Sequence, residues 1–169
     1  MNINTLTIKA QELLQSAMTI ARNNKQQSLD PLHILSAAIA EDESVGSYLI
    51  GRVGGNTATL RHKVAEAIAR LPRVEGAQDD VYFSREASAV VQRAVDLTRT
   101  LSDRYASVEH IVAAMAKERS AARDILRDAG ISEEQLITAI REFRKGQTIP
   151  APSVRWPWLP AAARVSSPS

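Results

Sequence analysis

Apolar positions recur at helical spacing through most of this chain. Ala10, Leu13, Leu14, Ala17, Ile20 and Ala21 share one face of a 3.6-residue period, and Thr7 stands where the N-cap belongs. Asp30-Pro31 reads as an N-cap followed by proline at the first helical position, where its missing N–H costs nothing. Ser44 opens a short helix through Tyr48, Leu49 and Ile50 that closes between Gly51 and Gly55. Asn56 or Thr57 opens a fourth, with Leu60, Val64, Ala67 and Ile68 facing inward. The same order then returns, with caps at Ser84, Ser107, Ser120 and Ser132, and Ser132 with Gln135 fits a capping box. No strand-like alternation competes, so the pattern predicts an all-α fold.

The return is an internal repeat. A shift of 77 residues puts Thr7 on Ser84, Ala10 on Ala87, Ala17 on Ala94, Arg22 on Arg99, His33 on His110 and Ile34 on Ile111. A shift of 76 then puts Ser44 on Ser120, Gly54 on Gly130, Leu60 on Leu136 and Val64 on Ile140. The phrase "DPLHILSAAIAE" is rewritten as "SVEHIVAAMAKE". Two tandem, pseudo-symmetric four-helix repeats are expected, about 4–73 and 82–147, burying a shared face in one compact domain of residues 1–147. The polar connection "LPRVEGAQDDVYF" joins them. Residues 148–169 form a tail with five of the seven prolines and both tryptophans, and no regular structure is expected there.

Composition narrows the function. Hydrophobic residues make up 44% of the chain and aromatics only 4%, so Ala, Leu, Ile and Val do the packing. The absence of Cys removes disulfides and thiolate metal sites and suits a reducing, cytoplasmic setting. No apolar run approaches a membrane span, and the N-terminus lacks the form of a signal peptide. The pI of 9.1 suggests nucleic acid. Its source is the tail, because removing Arg155 and Arg164 from 21 basic residues leaves 19 against 19 acidic ones. A balanced body argues against phosphate-backbone binding. His33 and His110 occupy one repeat position near helix N-termini and read as structural residues. With no H-E-x-x-H, no G-x-S-x-G and no phosphate-binding loop of the form G-x-x-x-x-G-K-[ST], neither a metal, a cofactor nor catalysis is expected.

The segments "LTIKAQELLQSA", "LDPLHILSAAIAED", "LPRVEG", "ASVEHIVAAMAKE", "ILRDAGISEEQL" and "REFRKGQ" resemble, in order, the N-terminal repeat domain of Clp ATPases, on the side of the ClpB-type disaggregases. The resemblance covers about residues 1–147. It implies a non-enzymatic module that docks unfolded or aggregated polypeptide, or an adaptor, at the entrance of a hexameric AAA+ unfoldase. A free-standing regulator competing with a full-length Clp ATPase is the alternative. The isolated chain is expected to be monomeric, because the repeats can cover each other's inner faces.

Within the family pattern, Thr7, Asp103 and Glu109 match positions associated with substrate handling. The expected groove has Asp103 and Glu109 at its rim, to attract Lys and Arg of unfolded segments, and Val91 and Val95 in its floor. The ClpC-type branch is similar in reading phosphoarginine through a hydroxyl and a glutamate in each repeat. Thr7, Ser84 and Glu109 match that pattern, but Leu32 replaces the first-repeat acid. Only the second site could then neutralise a guanidinium.

Overall fold

The computed structural model describes residues 3–75 and 80–147; the tail of residues 148–169 lies outside them. Among the described residues the chain forms eight α-helices: α1 (Ile8–Asn23), α2 (Pro31–Ala38), α3 (Val45–Arg52), α4 (Thr57–Ala69), α5 (Arg85–Thr100), α6 (Val108–Met115), α7 (Ala121–Asp128) and α8 (Glu133–Gln147). Starts fall where the caps place them. The oxygens of Thr7, Asp30, Ser44, Asn56, Ser84 and Ser120 each accept a first-turn amide hydrogen. Ser132 and Gln135 form the expected reciprocal box. The ends of α3 and α7 reach left-handed glycines, Gly54 (φ 89°) and Gly130 (φ 81°), at matching repeat positions. None of these helices is long and apolar enough to cross a membrane.

The repeated phrase turns out to be the centre of each repeat. Pro31 to Leu35 on α2 and Glu109 to Met115 on α6 are buried on all sides, while α1 and α5 bury one face each. A helix that is apolar all round must be surrounded by others. Accordingly α1 packs on α2 and α5 on α6, and the halves interlock. α2 meets α5, α6 and α7, α3 meets α6 and α8, and α4 meets α7. One apolar core results, running from Leu13 and Leu32 through Leu49 to Val91, Ile111 and Leu136.

Two short strands were not foreseen. β1 (Ser28–Leu29) and β2 (Tyr82–Phe83) pair in parallel, with Leu29 opposite Phe83, and Leu6 forms an isolated parallel bridge to Ala106. Two residues cannot display a period, so no sequence signal exists for them. The pairings are equivalent under the repeat shift: Leu6 corresponds to Phe83 and Leu29 to Ala106. Thus the lead-in to each repeat's first helix bonds to the lead-in of the other repeat's second helix. Thr7 N donates to Ala106 O (2.9 Å), and Ser84 N to Leu29 O (3.0 Å).

Candidate functional site

The repeated histidines anchor two versions of one device. His33 Nδ1 accepts the Asp30 amide hydrogen (2.9 Å), which leaves Nε2 to donate to Gln26 Oε1 (2.7 Å). Gln26 in turn donates to Ile68 O on α4 (2.7 Å). His110 Nδ1 accepts the Ser107 amide hydrogen (2.9 Å), and Nε2 donates to Asp103 Oδ2 (2.7 Å). Asp103 Oδ2 and Glu109 Oε2 then share Arg144 of α8, at 2.7 and 2.9 Å. Under the repeat shift Gln26 corresponds to Asp103, Leu32 to Glu109 and Ile68 to Arg144. A neutral strap in the first repeat is therefore a charged one in the second.

Burial decides how these groups behave. Glu109 is 0% exposed, and its Oε1 has no hydrogen-bond partner. Burial pushes its carboxyl up, and the His110 ring and Arg144 offset only part of this. Burial also pushes Asp103 up, but the bond from His110 and the charge and bond of Arg144 outweigh it and hold it below its ordinary value. Both ring nitrogens of His110 are committed and the ring is fully buried, so the Asp103–His110 pair cannot serve a substrate as acid or base.

An open apolar groove lies elsewhere, along α1. It has a volume of about 800 Å³, with Leu13, Ile20, Val45, Tyr48 and Val108 as walls. Ala37, Ala38 and Ala40 also line it and add little bulk. Its rim is acidic: Glu12, Glu41 and Glu43 stand against one lysine, Lys9, which already pairs with Glu12 at 3.8 Å. Gly46 sets the wall of α3, since a Cβ there would run into the carbonyl of Ala38.

None of the expected site residues Thr7, Ser84, Val91, Val95, Asp103 and Glu109 lines this groove. Thr7 is the N-cap of α1 and donates to Ser107 Oγ (3.0 Å), whereas Ser84 caps α5 beside Leu29. Val91 is fully buried in the core and cannot form an open floor; Val95 is half-buried against that core. Glu109 is no rim acid either. The guanidinium it was expected to attract from a ligand is supplied by Arg144 of this chain, which also removes the carboxylate a phosphoarginine would need. Asp103 is 19% exposed and holds the same arginine. Ser16, Ile20, Val45 and Tyr48 were not legible as groove residues: Ile20 and Val45 are half-buried against the core and read as packing positions, and no local pattern shows what lies across from a helix face. The exposed apolar Tyr48 (39%) was the available hint.

This interlocked double helical repeat defines the class of protein. The Clp repeat (R) N-terminal domain family matches residues 5–147, and the chain belongs to that family. It is 39% identical over 153 residues to the chaperone protein ClpB of Porphyromonas gingivalis, covering 90% of this chain and 18% of that protein. It is 34% identical over 149 residues to ClpB of Brucella suis, covering 88% and 17%. The chain thus spans less than a fifth of the length of these curated relatives. The Hsp104 N-terminal domain from Candida albicans has the same fold, with a TM-score of 0.72 at 24% identity over 84% of this chain and 93% of that one. So does the N-terminal domain of the ClpV1 ATPase from E. coli, with a TM-score of 0.70 at 14% identity over 90% and 93%.

Proposed function

We propose that this chain is a protein-docking module of the ClpB type, which takes exposed segments of unfolded or aggregated polypeptide, or of an adaptor, into the groove along α1. The observation that carries the reading is the groove itself: apolar walls, three lining alanines that add little bulk, and three rim carboxylates. Leucine, valine and aromatic side chains of an unfolded segment gain by leaving water there, and its Lys and Arg residues are drawn to Glu12, Glu41 and Glu43. The cavity admits a few side chains and no folded domain, so binding is shallow and reversible. In the family setting the captured segment passes to an AAA+ Clp ATPase ring in the cytoplasm, where several copies raise the effective concentration without tight individual sites. No chemistry is assigned to the module.

The test is an NMR titration of the chain with a reduced, permanently unfolded test protein. Amide shifts clustering at Ser16, Ile20, Val45 and Tyr48 are expected. Shifts confined to the vicinity of Thr7, Ser84, Val95 and Asp103 would move the site to the residues that the sequence pattern favours. No shift at the highest soluble concentration would remove client binding from the isolated chain.

A further inference from the structure

The two repeats carry the same stretch of surface and treat it differently. Groove residues Ser16, Ala38, Glu41 and Tyr48 correspond, under the repeat shift, to Arg93, Met115, Glu118 and Asp124. Where Ser16 leaves the α1 groove open, Arg93 donates from Nε and a terminal nitrogen to the two oxygens of Glu133, at 3.0 and 2.6 Å. The bond to Glu133 raises the Arg93 pKa, burial works against it, and the charges of Glu133, Glu118 and Asp96 add to the rise. Where Ala38 is short, Met115 is a long side chain with no exposure. Asp124, in place of Tyr48, pairs with Arg123 and Arg127 at 3.2 and 3.4 Å. The second repeat thus supplies from its own chain an arginine and a methionine that the first repeat lacks.

Charge and shape in the first repeat fit those missing pieces. Glu41 keeps the carboxylate of Glu118, while Ser16 replaces its arginine, and Glu12 and Glu43 add two more acids at the rim. Lys9, the one cation among the lining residues, pairs with Glu12 at 3.8 Å. Both side chains are more than half exposed, so solvent screens that pair. A guanidinium suits this rim better than an ammonium. Its planar fork gives a carboxylate two parallel hydrogen bonds, as Arg93 gives Glu133.

We propose that the α1 groove selects segments in which an arginine accompanies a long apolar side chain. The ligand's guanidinium takes the place beside Ser16 and Glu41 that Arg93 holds in the second repeat, and its apolar side chain fills the room left by Ala38. This rests on the reading of the groove as the docking site and adds to it a preference for arginine over lysine.

The test uses the full chain and three labelled, capped serine peptides that carry methionine with arginine, with lysine or with citrulline. Fluorescence anisotropy measures affinity, and amide shifts at Ser16 and Glu41 report where each peptide sits. The arginine peptide should bind about fivefold more tightly than the lysine and citrulline peptides. Ser16, Glu41 and Glu43 are exposed, so substitutions there leave the core intact. Glu41→Gln should cancel most of the preference for arginine over citrulline, whereas Glu43→Gln should leave most of it. Ser16→Arg puts the chain's own guanidinium in the proposed place and should weaken the arginine peptide about tenfold.

Equal affinity for the three peptides overturns the inference, as does an arginine preference that survives Glu41→Gln. If the unfolded test protein shifts Ser16 and Tyr48 while no arginine preference is seen, the inference falls and the groove reading stands. An arginine preference lost in Glu41→Gln, with no shift from the unfolded test protein, upholds the inference and removes client docking.

Discussion

Removing Arg144 tests the charged strap most directly. In Arg144→Ala, Asp103 keeps its bond from His110 and some water, so its loss is that of one charge-assisted hydrogen bond, about 1.5 kcal/mol. Glu109 loses its one side-chain hydrogen-bond partner, has no solvent, and must take up a proton. Protonating a carboxyl of ordinary pKa 4.5 at pH 7 costs about 3.4 kcal/mol, which caps this part of the penalty. The total, about 5 kcal/mol, matches what breaking a buried ion pair generally costs. The cap falls with every unit of acidity, so near pH 5 the same substitution should cost about 2 kcal/mol. Urea unfolding of wild type and variant at the two pH values measures both figures. Adding Glu109→Gln should recover most of the Glu109 part, with a coupling of about 3 kcal/mol in the double-mutant cycle. A penalty below about 1 kcal/mol at neutral pH would refute the argument, as would one independent of pH.

Three further outcomes rest on the same geometry. Burial lowers the pKa of His33 from 6.5 to about 4 against the pull of its Asp30 bond. The folded state thus binds fewer protons than the unfolded one in that window. Stability from this site is complete above pH 6.5 and is lost as pH falls towards 4, a change on the order of 3 kcal/mol that His33→Gln should abolish in a urea series. Leu32→Glu copies the second-repeat acid into a fully buried position without its arginine. It should cost about 3–5 kcal/mol, partly recovered by Ile68→Arg in thermal melts. Gly46→Ala forces α3 away from the Ala38 carbonyl, so a loss of about 1–3 kcal/mol should accompany altered client affinity; unchanged melting would show that the wall yields freely.

The helices and their starts were legible because caps and apolar spacing act over three or four residues. The repeat, and the family with it, was legible because Ser84, His110 and Gly130 return at nearly constant distance from Thr7, His33 and Gly54. The all-round apolar phrases at Asp30 and Ser107 even mark the two central helices. What Asp103 and Glu109 do was not legible. Exposed acids that bind a client and buried acids that hold an arginine look alike in one dimension. The bonds that separate them join residues 41 and 35 positions apart. Their sequence trace is that Gln26, Leu32 and Ile68 become Asp103, Glu109 and Arg144 together, which means something only once the repeats are seen to pack alike.

Sequence by itself determined that this chain makes helices, twice over, most with one apolar face and one in each repeat apolar all round. The tertiary structure decided which polar residues spend their charge inside the fold and which apolar face stays open. Helix formation is settled by neighbours along the chain, whereas desolvation and groove shape are settled by whichever helix comes to lie across from each face.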